Sequence, residues 1–171
     1  MSAAVDCYAL LGLPQRFALD REQLDAAYRE RARRAHPDRH VQGAAAAQEQ
    51  ALGAATAINE AYRTLKDPAR RAAHLLALRG VDASLARPSS VLLMQQMTWH
   101  ETLDSVRDSG DGQALQRLGA QVRAQLDACV ARLAAALDAA SPDTASACLL
   151  EFGFLRRLLD AVVEADEEVH V

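Results

Sequence analysis

The sequence of 171 residues is poor in aromatic residues and contains no long hydrophobic run. Aromatic residues make up 4% of the chain, and most of its 50% apolar content is alanine and leucine, whose side chains lose little rotamer freedom in a helix. No apolar stretch approaches the roughly 20 residues that a membrane-spanning helix needs. The N-terminal segment has no basic region ahead of its apolar residues, and Asp6 interrupts them. We therefore expect a helical protein that is neither secreted nor bound to a membrane.

Cysteines are also few, and their spacing argues against a metal site. Cys7, Cys129 and Cys148 lie far apart and form no C-x-x-C pair, and no histidine lies close to a cysteine as a zinc site would require. Apolar neighbours surround each cysteine, so we expect buried thiols in a reducing cytoplasm. The sequence predicts no structural metal and no cofactor.

Charge is distributed unevenly along the chain, although the net charge is only -4. Residues 21–40 contain six arginines, whereas residues 160–171 contain five acidic residues and no Lys or Arg. A basic surface and an acidic end suit protein partners of opposite charge. We expect no nucleic-acid partner, because the chain as a whole lacks the basic excess that is typical of nucleic-acid-binding proteins.

Helix start and stop signals divide the first half of the chain into four helices. The second begins after Asp20 and must end before Pro37, since proline disfavours the helical conformation of the residue before it. Asp67-Pro68 marks the start of the fourth helix, which closes at Gly80. Apolar residues at spacings of three and four predict one buried stripe on the third helix, formed by Leu52, Ala55, Ile58, Tyr62 and Leu65.

Turn and breaker residues at 81–88 separate this half from three further amphipathic helices. Long helices joined by short turns predict an antiparallel bundle. The expected architecture is therefore all-α, with one domain over residues 1–80, a linker over 81–88 and a three-helix bundle over 89–171.

Capping residues and apolar spacing place the three bundle helices. Ser89 or Ser90 begins the first, a turn follows at 108–112, and Ser141-Pro142 begins the last. The apolar stripes predicted to face the bundle core are Leu92, Gln96, Trp99, Leu103 and Val106, then Leu115, Leu118, Val122, Leu126, Cys129, Leu133 and Leu137, and finally Cys148, Phe152, Leu155, Leu159 and Val162.

The tripeptide His36-Pro37-Asp38 lies between the second and third helices. Pro37 stiffens the loop and holds two polar side chains at a helix end, beside an arginine-rich helix, which suits a docking surface. Because three residues match by chance often, the tripeptide is informative only together with the motifs around it.

Residues 5–71 resemble a J domain of the DnaJ class in the order of their motifs: YALLGL at 8–13, the basic helix, the tripeptide, INEAY at 58–62 and LKDP at 65–68. The resemblance implies a co-chaperone that docks on a DnaK-type ATPase chaperone and stimulates its ATP hydrolysis. The residues implied to bind the chaperone are His36, Pro37 and Asp38, together with arginines that would face its acidic surface, Arg29, Arg31, Arg33 and Arg34.

Features outside the general J-domain motifs narrow the resemblance to one family. No Gly/Phe-rich linker or zinc-finger region follows, and the segments FALD at 17–20 and RAAHLLALRG at 71–80 are similar to the HscB family, the J-type co-chaperones of iron–sulfur cluster assembly. That family carries a C-terminal three-helix bundle that binds the cluster scaffold IscU, so the resemblance implies an HscA-like chaperone and an IscU-like scaffold as partners. One departure is His74, where tyrosine is commonest in the family; we expect it to affect packing more than function.

The first bundle helix has more apolar residues than its buried stripe needs. Met94 and Met97 project within about 100° of Thr98, Glu101 and Ser105, on the side opposite Trp99 and Leu103. The residues alone are equally compatible with an exposed binding surface and with packing against a neighbouring helix. The resemblance favours the binding surface and implies that the scaffold-binding residues are Leu93, Met94, Met97, Thr98, Glu101, Ser105 and, on the last helix, Phe154.

Two of these positions depart from the family pattern. Thr98 and Ser105 stand where the better-known members carry acidic residues, so the face keeps its hydrophobic residues and loses charge. We expect this loss to affect electrostatic steering more than the contact itself.

We do not expect an enzyme, because no nucleophile lies near His36 and Asp38 and no glycine-rich phosphate loop is present. The expected function is that of a cytoplasmic adaptor that delivers the scaffold to the chaperone and stimulates its ATPase, with neither nucleic acid nor membrane as a partner. A J-domain co-chaperone for a different client is the alternative, and only the bundle distinguishes the two.

Overall fold

The computed structural model describes residues 5–35 and 45–169, except for the side chains of 45–48 and 169. Within these ranges all regular structure is helical, which confirms the expected all-α class. The chain forms two compact units that divide between Val81 and Asp82. The helices are α1 (Cys7–Leu11), α2 (Arg21–Arg34), α3 (Ala45–Lys66) and α4 (Pro68–Leu78), then a 3₁₀ turn (Ala83–Leu85), α5 (Ser90–Ser109), α6 (Gly112–Asp138) and α7 (Pro142–Val169). None of the described helices combines the length and apolar character that crossing a membrane requires.

Side-chain caps begin α2 and α4 where the sequence predicts them. The Asp20 carboxylate accepts a hydrogen bond of 2.8 Å from the Gln23 amide, and the Asp67 carboxylate accepts one of 3.0 Å from the Arg70 amide. Each cap satisfies one of the amides that a helix N-terminus leaves without an internal partner. At its other end, α2 closes at Arg34, before Pro37 as expected.

The core of the first unit forms around α3, against which α1, α2 and α4 pack. The prediction that Leu52 belongs to the buried stripe of α3 is wrong, because Leu52 is 62% exposed. Three residues turn a helix by only 300°, so two successive steps of three place Leu52 about 120° away from Ile58. The buried face instead runs through Ala51, Ile58, Ala61 and Leu65.

The second unit is the predicted three-helix bundle, and local caps again define its turns. Ser89 caps α5 by accepting a hydrogen bond from the Leu92 amide, and Asp111 caps α6 by accepting one from the Ala114 amide. Between α5 and α6, Gly110 adopts a left-handed conformation with a φ of +63°, which glycine reaches without steric cost. The turn lies within the expected range 108–112 but is shorter, because α5 continues through Ser109 and α6 begins at Gly112.

The bundle core differs from the predicted stripes on α5 and α7. Only Leu92 and Leu103 of the α5 stripe are fully buried, whereas Trp99 and its stripe neighbours Gln96 and Val106 are half-buried. On α7, by contrast, more than one face is buried, because this helix packs along α6 and also contacts α5. The buried residues of α7 are Ala145, Ser146, Cys148, Phe152, Phe154, Leu155, Leu158, Val162 and Ala165.

His74 links α4 to the start of α1. The Cys7 amide donates a hydrogen bond of 3.1 Å to Nε2 of His74, and the imidazole stacks on the Tyr8 ring at a centroid distance of 5.9 Å. Only a neutral imidazole can accept this bond at Nε2. Burial lowers the pKa of His74, and the negative charge of Asp6 opposes that effect without reversing it.

This contact predicts a pH-dependent stability of the first unit. Because the folded state lowers the pKa of His74, the unfolded chain binds more protons as the pH falls below about 6.5, and the free energy of unfolding should decrease there and recover above it. We expect the melting temperature of the wild type, measured by circular dichroism relative to that of His74→Gln, to fall upon acidification. A difference between the two proteins that is constant with pH would contradict this assignment.

Candidate functional site

Helix α2 carries the arginines predicted to bind the chaperone. The tripeptide His36-Pro37-Asp38 itself lies outside the described residues, and α2 ends two residues before it. Arg29, like Arg33 and Arg34, is exposed, as a docking surface requires.

Arg31 has a different environment from the other three arginines. It is half-buried, and its guanidinium lies against Gly12, at the turn after α1. A Cβ atom at Gly12 would lie 2.8 Å from Nη2 of Arg31, and the φ of +73° at this position also favours glycine. Arg31 therefore packs against the end of α1, a contact that the sequence did not indicate.

Two of the exposed arginines share one acidic neighbour. Both Arg33 and Arg34 form ion pairs with Glu30, and Nε of Arg34 lies 2.7 Å from a carboxylate oxygen. Hydrogen bonds from Arg34 and Arg33 lower the pKa of Glu30. Because surface ion pairs are weak and exchange with solvent, these arginines can still bind an acidic partner. The negative charge of Glu30 makes the local positive charge smaller than the number of arginines suggests.

A pair of tyrosines holds α2 against α3. The rings of Tyr28 and Tyr62 stack at a centroid distance of 4.3 Å. The Tyr28 hydroxyl donates to Asn59 at 2.9 Å, and the Tyr62 hydroxyl donates to Asp25 at 2.8 Å. A shallow groove beside this pair is lined by Ala26, Tyr28, Arg29, Ala32 and Arg33. The tyrosines thus fix the orientation of the helix that presents the arginines.

Helix α5 presents the second predicted surface, and its apolar side chains are exposed. The exposed fractions are 46% for Leu93, 69% for Met94 and 63% for Met97. Three polar members of the predicted set are exposed with them: Thr98, Glu101 and Ser105. The hydroxyl of Thr98 donates to the Met94 carbonyl at 3.2 Å, a bond within its own helix. We name the surface formed by Leu93, Met94, Met97, Thr98, Glu101 and Ser105 the methionine face.

A groove runs along one side of the methionine face. Three of its lining residues, Gln96, His100 and Asp104, were not predicted from the sequence as part of the site. His100 and Asp104 lie three and seven residues beyond Met97, a spacing that returns to one side of a helix, so a search for neighbours of Met97 at i+3 and i+7 would have found them. The groove has a volume of about 540 Å³ and is lined by Leu93, Gln96, Met97, His100, Glu101 and Asp104.

Phe154 lies beneath this groove instead of on the surface. Its prediction as an exposed member of the site is wrong, because its side chain is only 4% exposed. The Phe154 ring meets the exposed His100 ring edge-on, at a centroid distance of 5.9 Å and an interplanar angle of 65°, which is a favourable aromatic geometry. Since α7 contacts both α5 and α6, the side of α7 opposite Phe152 is covered as well.

The cysteines are structural. All three are buried, as expected, and the Cys129 thiol donates to the Cys148 carbonyl at 3.3 Å. Burial raises the pKa of Cys129 to about 12, so the group is a neutral thiol at neutral pH and a poor nucleophile. Among the described residues no group of His, Cys, Asp and Glu is arranged to hold a metal ion.

Both units are similar to known proteins. A family model of the DnaJ domain matches residues 6–74, and a model described as the HSCB C-terminal oligomerisation domain matches residues 89–163. The chain is 42% identical over 151 residues to the co-chaperone protein HscB homolog of Ralstonia nicotianae, which covers 86% of each chain.

Solved structures show the same similarity. Chaperone HscB from Vibrio cholerae has a TM-score of 0.86 and 31% sequence identity, covering 96% of this chain and 99% of that one. The human co-chaperone protein HscB has a TM-score of 0.85 over 96% of this chain and 83% of its own, and its 20% identity bears on the fold alone. The matches therefore include both the unit that carries α2 and the unit that carries the methionine face.

Proposed function

Because the chain belongs to the HscB family of J-domain co-chaperones, which serve iron–sulfur cluster assembly, we propose that it binds an IscU-like cluster scaffold and delivers it to an HscA-like chaperone. A J domain has a chaperone of the DnaK type as its partner. We propose that this chaperone is HscA-like and that the protein stimulates its ATPase. We also propose that the client is an IscU-like scaffold and that the protein acts in the cytoplasm.

The observation that carries the scaffold assignment is the exposure of the methionine face. Met94 and Met97 leave most of their apolar surface in water, and Leu93 leaves almost half. Exposed apolar clusters mark interaction surfaces, and methionine adapts its shape to a partner. This face lies on α5, within the residues that match the HscB C-terminal model.

In the proposed function each of the two surfaces binds a different partner protein. The first unit would present His36, Pro37 and Asp38, together with the α2 arginines, to the chaperone, while the methionine face of the second unit holds the scaffold. One chain that binds both partners raises the effective concentration of the scaffold at the chaperone. ATP hydrolysis, carried out by the chaperone itself, would then be triggered where the client is delivered.

A steady-state ATPase assay tests the proposal. We expect this protein to stimulate the ATPase activity of its cognate DnaK-type chaperone. Purified IscU-like scaffold should raise the rate of ATP hydrolysis further. Stimulation that is indifferent to the scaffold would reject the client assignment and favour a co-chaperone for another client. Absence of stimulation with every chaperone tried would reject the docking assignment.

Replacing Met97 by Ala should weaken scaffold binding by roughly 1 kcal/mol or more, since truncation removes an anchor side chain from the centre of the interface. Isothermal titration calorimetry with the purified scaffold measures this loss directly. Leu52→Ala provides a matched control, because Leu52 is exposed to nearly the same extent, 62% against 63%, and belongs to the first unit. Equal affinities for Met97→Ala and Leu52→Ala would remove the methionine face from the site.

A further inference from the structure

The groove beside the methionine face has two chemically different ends. Leu93 and Met97 line one end with exposed apolar surface. Glu101 and Asp104 line the other end with carboxylates, and both are exposed. His100 lies between the two ends, with its ring against the buried Phe154. Such a groove complements a segment that carries an aliphatic side chain beside a basic one.

One arginine, Arg107, lies near the acidic end of the groove, and its ion-pair partner is on another helix. Arg107 lies one helical turn beyond Asp104, but its guanidinium is held by Glu168 of α7, with Nη2 2.7 Å from a carboxylate oxygen. Glu164 and Asp104 also lie close enough to interact electrostatically with Arg107. The surface around Arg107 therefore has more carboxylates than cations, and the net potential favours a basic partner group.

Glu101 and Asp104 are the two carboxylates that line the groove, and Asp104 is the one outside the set predicted from the sequence. Thr98 and Ser105 contribute no charge to the face, and the Thr98 hydroxyl is already bonded to a carbonyl of its own helix. Asp104 lies seven residues beyond Met97, two helical turns along the same side of α5. A basic side chain of the partner can reach it while the neighbouring aliphatic side chain lies between Leu93 and Met97.

We propose that Asp104 is a specificity-determining contact for the scaffold, accepting a charge-assisted hydrogen bond from a Lys or Arg that adjoins the aliphatic side chain bound by Leu93 and Met97. This inference rests on the proposed function and adds to it the chemistry of the recognised segment. His100 forms the wall of the groove between the two contacts, and Phe154 holds that wall in place. Charge-assisted hydrogen bonds of this kind add geometric selectivity to an apolar contact.

Calorimetric titration of the purified IscU-like scaffold into Asp104→Asn tests this inference, because the substitution removes the charge and keeps the shape. At about 0.1 M ionic strength we expect the Kd to rise roughly three- to tenfold. At about 1 M, where the Debye length shrinks to about 3 Å, the difference from the wild type should become smaller. Asp127→Asn makes the same chemical change at an exposed position of α6 and should bind like the wild type.

The possible results distinguish the role of Asp104 from the proposed scaffold-binding function. Wild-type affinity in Asp104→Asn, with binding weakened in Met97→Ala, would overturn the role of Asp104 and leave the proposed function standing. Equal weakening by Asp104→Asn and Asp127→Asn would also overturn it, since a general charge effect would then explain both. Unchanged affinity in Met97→Ala and Asp104→Asn together would reject the scaffold site itself.

Discussion

His36→Gln should remove nearly all of the ATPase stimulation that this protein exerts on its DnaK-type chaperone. The tripeptide that begins with His36 is the motif on which the J-domain resemblance centres, and Pro37 limits the conformations in which its side chains can meet a partner. Glutamine is polar and of similar size, but it lacks the imidazole ring and its two ring nitrogens. The measurement is the steady-state ATPase rate of the chaperone, titrated with wild-type protein or with the variant.

The neighbouring histidine supplies a matched control. His40→Gln makes the same change four residues along the chain, and we expect it to stimulate like the wild type. Scaffold affinity should be unchanged in both variants, since the methionine face belongs to the second unit. Full stimulation by His36→Gln would contradict the docking assignment. Equal losses of stimulation in His36→Gln and His40→Gln would indicate that the segment as a whole is needed and would contradict a specific role of His36.

Phe154→Ala should cost about 3–5 kcal/mol of the free energy of unfolding of the bundle, the range observed when a buried phenylalanine is truncated. The ring is 4% exposed and supports the ring of His100, so its removal leaves a cavity beneath the groove. Trp99 is the single tryptophan of the chain and lies half-buried on α5, so its fluorescence during denaturant unfolding reports on this unit.

A more conservative substitution distinguishes an effect on the stability of the bundle from an effect on scaffold binding. Phe154→Leu keeps an apolar side chain in the site, and we expect it to lose less stability than the alanine variant. Scaffold binding, measured where both variants are folded, should weaken in Phe154→Ala because the wall formed by His100 loses its support. A loss of stability below about 1 kcal/mol in Phe154→Ala would contradict the burial of this side chain.

The burial of Phe154 differs from the exposed position that the family resemblance suggested for it. A phenylalanine on the last helix suggested a direct anchor for the scaffold. Because Phe154 is buried and its ring meets that of His100, which is exposed at the groove, its expected role is that of a positioning residue that acts through His100. On our proposal, side chains of α5, Met97 and Asp104 among them, would make the surface contacts to the scaffold.

Much of the fold was predictable because its determinants are local. The caps at Asp20, Asp67 and Ser89 depend on one side chain and an amide three residues away, so short segments contain the whole interaction. Gly110 marks a helix end through its own backbone freedom. The exposure of Met94 and Met97, by contrast, did not follow from the residues alone, which also allowed packing against a neighbouring helix. The family resemblance favoured an exposed face, and the structure shows one.

The burial of other side chains depended on how many sides of each helix are covered by neighbouring helices. The spacing of apolar residues along one helix carries no information about that number. Leu52 is exposed because α1, α2 and α4 cover a different side of α3, and Phe154 is buried because α7 contacts two helices. Arg31 lies against Gly12, nineteen residues earlier in the chain. The sequence by itself determined the helices, their ends and the motifs that they carry. Tertiary packing decided which side chains of those helices meet solvent, and hence that Asp104 and His100 line the groove while Phe154 supports it from below.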